Sequence, residues 1–417
     1  MMVLANYVDD LATVLTKQFG PQVWKEIETK WKFDPSKPLE KFLGIVCKRV
    51  SERRYELEQQ DLLSKVVKEY EEKTGRSLGT KKTLPTECPP LTTVEGKPLE
   101  EMASSDIVET VANLAKALLA APGAAKPGSS ERAEEAGAAQ APAVTGKKGK
   151  VLPPGESGTP VRSAVGGLYY AARGTRLELM KAVHELARRT TRWNPACTTF
   201  LEAVLTYCKN MKSVLVFDAE DMPKELDQWR VDVSSDARFA CPWSTTGIVL
   251  CLTPVDAPND RRLLKFLALD WTSQAQQLIK LSAAESEIVS AVHAMRAGLR
   301  FAGSWAMITG GSWEFASWGS DGEPRPCDVM YQRQDNTACI TALKRGWSLL
   351  MCHVPQVYGV SLGWAAERIM EQRVRLEYEN TSEMLADPLT KLTTNPVLYN
   401  AGILKVARFD AVEAGKP

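Results

Sequence analysis

The sequence predicts a mixed α/β protein whose C-terminal half folds as one mixed sheet flanked by helices. Three β-rich runs follow one another from about residue 228, QWRVDVSSDARFA, TTGIVLCLTPV and KFLALDWTSQ. Helix and strand patterns then alternate, from the helical AAESEIVSAVHAMRAGLRF through the strand PCDVMYQRQD to the strand VRLEYEN. Successive strands followed by alternating helices and strands are satisfied by a single sheet with helices packed on it. At 417 residues, with 44% hydrophobic and 25% charged side chains, the chain has the composition of a globular protein of two or three domains.

From the N-terminus, YVDDLATVLT is strand-like with an acidic break, and GPQVWKEIETKW fits a short amphipathic helix with Val23, Ile27 and Trp31 on one face. FLGIVCKRV and RRYELEQ form a strand pair, and QQDLLSKVVKEYEEKTG a helix stopped by glycine. DIVETVANLAKALLA reads as one more helix. Between about 119 and 160 the chain is Ala, Gly, Pro, Ser, Lys and Glu, too poor in apolar groups to offset its ordering entropy, and a disordered linker is expected. Residues 161–212 read as helical. In the last domain Ile288, Val292 and Met295 share one side of the first helix; NTACITALKRG is a short helix ending in glycine and SLGWAAERIMEQ another. TSEMLADPLTK reads as a final helix N-capped by Thr381 or Ser382. The divisions are 1–85, the linker 86–160, a basic helical stretch 161–227, the main domain 228–400 and a tail 401–417.

Net charge is +1, so attraction to nucleic acid must be local. It is local in 161–212, where nine basic side chains face three acids. Among them Arg162, Arg173, Arg176, Arg188, Arg189 and Arg192 form either a phosphate-facing surface or a solvated helical face. Nine cysteines without a CxxC pair argue for reduced thiols, against both a disulfide framework and a zinc site. No signal peptide and no apolar run of membrane-spanning length are visible, so an intracellular protein without membrane contact is expected.

Four acids sit where a packing pattern calls for neutral residues: Asp236 in the first strand, Glu287 near the start of the helix, Asp335 at a strand end and Asp387 within LADPL. Each alone is ordinary, since a helix N-terminus favours acids and Glu285 stands two residues before Glu287. Converging on one sheet edge, they would repel one another unless cations held them. Carboxylates without Cys or His ligands suit Mg²⁺ or Mn²⁺, and a pair of such ions hydrolyses phosphodiesters.

The strings SSDARFA, STTG (Ser244 to Gly247), LDWTSQAQQLIKLSAAESEI, DNTACI and TSEMLADPLTK, in this order, resemble the ribonuclease H domain of copia-type retrotransposon polyproteins. VRSAVGGLYYAARGTRLELMKAVHELAR resembles the segment joining polymerase to ribonuclease H there, and YVDDL with FLGI (Phe42 to Ile45) the end of the reverse transcriptase palm and start of the thumb. The resemblance implies a ribonuclease H-like mixed sheet preceded by a partial palm and thumb. It implies a two-metal site of Asp236, Glu287, Asp335 and Asp387, with two Mg²⁺ that Mn²⁺ can replace, and leaves Glu285 as an accessory acid. The implied reaction is hydrolysis of the RNA strand of an RNA/DNA hybrid, with RNA recognised through 2′-hydroxyls. Implied partners are the hybrid and the missing polymerase portion or a second polyprotein copy, in a retrotransposon particle of cytoplasm or nucleus.

The chain departs from the family in places. Asp9 and Asp10 would be a vestigial polymerase metal site, because the earlier strand's aspartate is missing, and no polymerisation by this chain alone is expected. Arg238 and Phe239 replace aspartate and tryptophan, and Arg238, two residues from Asp236, is placed to pair with it. His353 is present, but Tyr358 stands at a usual histidine. The alternative reading is a catalytically dead remnant that binds nucleic acid or a protein partner.

Overall fold

The computed structural model describes residues 2–7, 10–15, 22, 25–26, 29–30, 39–89, 159–191, 193–240, 243–257, 265–310, 324–392 and 407–411. The chain is mixed α/β, with a hairpin and two five-stranded sheets among the described residues. The expected linker 86–160 and the helix DIVETVANLAKALLA fall largely or wholly outside them, as do Val23, Ile27 and Trp31.

Strands β1 (Met2–Tyr7) and β2 (Asp10–Leu15) pair antiparallel on either side of the acidic break. The first five-stranded sheet is antiparallel throughout. It contains β3 (Lys41–Phe42), β4 (Ile45–Arg49), β5 (Arg54–Glu58), β6 (Met211–Asp218) and β12 (Ala407–Ala411), in the order β12-β6-β5-β4-β3. Strands from the separate divisions 1–85, 161–227 and 401–417 therefore share one sheet. Helix α1 (Gln60–Thr74) buries Leu63, Val67 and Tyr70, one side of an amphipathic helix, and stops at Gly75, whose φ of 67° only glycine adopts freely. It packs against α2 (Thr159–Gly174) and α4 (Pro195–Asn210), with α3 (Met180–Ala187) between these two in sequence. Pro195 at the first turn and Asn194, which accepts the Cys197 N–H at 2.9 Å, start α4.

The second sheet contains β7 (Trp229–Arg238), β8 (Thr245–Pro254), β9 (Leu267–Ala275), β10 (Met330–Gln334) and β11 (Val374–Tyr378). Its order is β11-β10-β7-β8-β9, antiparallel from β7 to β9 and parallel from β7 through β10 to β11. All ten residues of β8 are buried, because both faces of the sheet are covered. Val249 and Cys251 face the core built by α1 to α4, whereas Ile248, Leu250 and Leu252 face α5 (Ala283–Ile308) and its neighbours. Ser282 caps α5 by accepting the Glu285 N–H at 3.2 Å. The helix lies close on the sheet because Gly298 has no side chain: a Cβ there would stand 2.3 Å from Met330 Sδ and 2.6 Å from Val233 Cγ2. Helices α6 (Thr337–Arg345), α7 (Val354–Tyr358) and α8 (Leu362–Met370) complete the layer, with α6 closed by Gly346 at φ 77°.

One element differs in kind. TSEMLADPLTK is not a helix but two short 3₁₀ turns, Thr381–Glu383 and Asp387–Leu389. The cap is Asn380, which accepts the Ser382 N–H at 3.0 Å, and Pro388 supplies no N–H with which a helix could run on.

Candidate metal centre

Strands β7 and β10 run parallel with Arg333 opposite Ser234, so two residues further on Asp236 and Asp335 reach the same sheet edge. Glu287 comes to that edge from the first turns of α5. The helix is stitched to the strand there: Ser290 Oγ donates to Asp236 O at 2.8 Å, and the Ala237 N–H donates to the Glu287 carboxylate. Carboxylate oxygens of Asp236, Glu287 and Asp335 lie within 4.8 Å of one another, Asp236 and Glu287 buried and Asp335 half-buried. Opposite oxygens around an octahedral Mg²⁺ are ~4.2 Å apart.

Polar side chains hold each carboxylate. Gln334 Nε2 donates to Glu287 Oε2 at 2.7 Å, its own Oε1 accepting from Ser235 Oγ at 2.9 Å. Thr390 Oγ1 donates to Asp236, and Thr381 Oγ1 to Asp335 Oδ2 at 2.8 Å. Burial, reinforced by Asp387 and Asp335, pushes Asp236 up to about 6. Burial, reinforced by Asp236 and Asp335, pushes Glu287 up to about 8 against the bonds from Gln334 and Ala237. A cluster of hard oxygen donors under this repulsion has a demand for positive charge, and a divalent cation fits it.

Asp387 stands beside this set rather than in it. It is near enough for its charge to act on Asp236, but its carboxylate is bonded by Lys391 Nζ. Its pKa is raised by burial, with Lys391 opposing. Arg238, expected to pair with Asp236, is exposed at the strand end and makes no ion pair with it; the cation whose charge acts on Asp236 is Lys391. Glu285 has its own partners: His353 Nε2 at 3.2 Å from Oε1, and Tyr358 OH, which donates to Oε2 at 2.9 Å. Asp9 lies outside the described residues, and Asp10 opens β2 opposite Tyr7.

The basic stretch is mostly internal. Arg176 is fully buried, donating to Glu178 Oε1 at 2.5 Å and to Met211 O at 3.1 Å. Arg189 is buried against Glu185 at 2.5 Å and Pro89 O at 2.7 Å. Arg188 stacks on Trp243 at 5.4 Å, and Arg173 pairs with Asp270 at 2.8 Å. Arg162 is exposed, and Arg192 lies outside the described residues. Side chains that bond their own core are not free for phosphates, so Arg176 and Arg189 are structural.

Gln334, Thr390 and Lys391 were not singled out from the sequence, although Thr390 and Lys391 end the string TSEMLADPLTK. Comparison with protein-family models, with curated proteins and with solved structures finds no match to the chain.

Proposed function

We propose that this chain is a metal-dependent nuclease of the ribonuclease H type, from the copia-type retrotransposon polyproteins that its motifs resemble, hydrolysing the RNA strand of RNA/DNA hybrids. The observation that carries the reading is the convergence of Asp236, Glu287 and Asp335, from two strands and a helix far apart in sequence, into one buried acidic cluster. The strand order supports it as well: three antiparallel strands extended by two parallel ones suit a ribonuclease H-like sheet. Two Mg²⁺ ions, or Mn²⁺ in their place, would polarise a phosphodiester and an attacking water. Asp236, Glu287 and Asp335 would hold the cations. Thr390 and Gln334 orient two of these carboxylates, and Lys391 keeps Asp387 ready as a fourth group. The β1–β2 hairpin is assigned no polymerase activity here, and a separate polymerase portion or a second copy is the proposed protein partner. No helix of the described residues is long and apolar enough to cross a membrane. The proposed setting is a retrotransposon particle in the cytoplasm or nucleus.

The Asp387–Lys391 contact favours a second reading, an inert module that binds nucleic acid without a full metal pair. Incubation of a labelled RNA/DNA hybrid, a DNA duplex and an RNA duplex with the chain and Mg²⁺ separates the two. The nuclease reading expects cuts in the RNA of the hybrid alone. Retention of the hybrid on the chain without cuts supports the module.

A further inference from the structure

Lys391 brings a positive charge of the chain's own to the edge of the metal centre. Its ammonium donates to Asp387 Oδ1, four residues back across the 3₁₀ turn. Burial opposes a charge there, yet the bond and charge of Asp387 and the charges of Asp236 and Asp335 push the Lys391 pKa up. One ammonium therefore stands in the field of three of the four acids. The two partners are held unequally. The Asp387 side chain is 5% exposed and that of Lys391 41%. The turn under Asp387 is fixed: Thr390 is fully buried, its Oγ1 within hydrogen-bond distance of the Asp236 carboxylate and, at 3.0 Å, of Asp387 O. Lys391 carries its charge on a flexible stem, so it is the partner able to withdraw.

Asp236, Glu287 and Asp335, with oxygens within 4.8 Å of one another, make the place of one cation without Asp387. The second ion of a pair stands ~3.5–4 Å from the first and needs oxygen ligands of its own. Asp387 is placed to supply one, since its charge already acts on Asp236. With the ammonium on it, that carboxylate is engaged and its surroundings are already positive. Two divalent ions alone would balance the four ionised carboxylates. With the ammonium still in place they would leave an excess of positive charge.

We propose that Lys391 is a built-in competitor for the second divalent ion: its ammonium holds Asp387, so that the chain takes one ion readily and the second only when the ammonium withdraws. This role rests on the metal-centre reading and adds to it the residue that sets the divalent concentration at which a pair forms. Removing the ammonium opens the second place, and removing Asp387 as well closes it again.

The test counts Mn²⁺ ions bound to the full chain, from the electron paramagnetic resonance signal of the unbound ion, with no nucleic acid present. The parent is expected to bind one ion, and a second roughly ten-fold more weakly or worse, the handicap of breaking one charge-assisted hydrogen bond. Lys391→Met, which keeps the length of the stem, should tighten the second ion by roughly that factor, with less effect on the first. Lys391→Arg, which keeps the charge, should bind as the parent does. Adding Asp387→Asn to Lys391→Met should abolish the gain. Two ions bound equally tightly by the parent, a second ion no tighter in Lys391→Met than in the parent, or a gain that survives Asp387→Asn overturns the proposal. A second ion weaker in Lys391→Met also overturns it, because the lysine then only positions Asp387. The parent measurement uses the unmodified chain, so it stands even if a variant misfolds. A tight first ion with a second indifferent to Lys391 refutes the lysine's role alone, whereas no bound Mn²⁺ at all refutes the metal centre with it.

Discussion

Glu287 and Asp236 are the residues on which the electrostatic cost of the site falls. Unfolded, both titrate near 4; folded, Glu287 is pushed up to about 8 and Asp236 to about 6. Between those values the folded chain holds protons that the unfolded chain has lost, so stability is complete below about pH 4 and is lost as pH rises through 6 and 8. In the metal-free chain Glu287→Gln should therefore be stabilising at pH 8 by a few kcal/mol, at ~1.4 kcal/mol per pKa unit, and by much less at pH 5. Comparing variant with parent cancels the opposing titration of His184, which burial holds down to about 4. Urea unfolding at the two pH values measures it, and an advantage that does not grow with pH contradicts the assignment. Mg²⁺ should raise the parent's stability more at pH 8 than at pH 5, because it replaces those protons. Arg176 makes the opposite kind of case. Arg176→Met strands Glu178 in the core and should cost about 3–5 kcal/mol, whereas a phosphate contact would lose hybrid affinity with folding intact.

At the scale of elements, the turn Asp387–Leu389 is seated against β8 by Gly247, the partner of Asp236 in the strand pairing. A Cβ on Gly247 would stand 2.7 Å from Ala386 O and 2.8 Å from Thr390 Cγ2. Gly247→Ala should push the turn outward, separate Thr390 and Asp387 from Asp236, and cost about 1–3 kcal/mol as overpacking does. Thermal unfolding checks the cost, and a drop in metal affinity larger than the stability loss explains checks the displacement. Strands β7 to β11 and helix α5 were legible because alternation, glycine stops and capping residues lie within each segment. The turn was not. LADPL carries helical spacing, but Pro388, which lacks an N–H, and the close approach of Gly247 hold Asp387–Leu389 to a 3₁₀ turn. Asp236, Glu287 and Asp335 were readable as acids out of place, yet Gln334 looked like any strand glutamine until α5 lay across it.

The whole molecule shows where local pattern stops being informative. Strand β6 joins β5 across the long intervening stretch and β12 from near the C-terminus, pairings that no neighbouring residue announces. The basic residues 161–212 looked like a surface because their three acids, Glu178, Glu185 and Glu202, are too few to balance them in a count. Folding instead gives Glu178 and Glu185 a buried arginine each. Deleting residues 407–417 should expose the open edge of β6 and promote self-association, which light scattering would detect as a mass above that of one chain. A monomer as stable as the parent would mean that β12 adds nothing to the sheet.

Incubating a labelled hybrid with the parent chain and with Asp236→Asn, in Mg²⁺ and in Mn²⁺, decides whether Asp236, Glu287 and Asp335 form the proposed metal site for cutting RNA paired with DNA. Metal-dependent cleavage of the RNA strand by the parent, with Asp236→Asn folded but at least a thousand-fold slower, is the expected result, on the order of the loss when a charge-stabilising group leaves an active site. No cleavage by either chain at low salt with both metals, or equal cleavage by both chains, contradicts it.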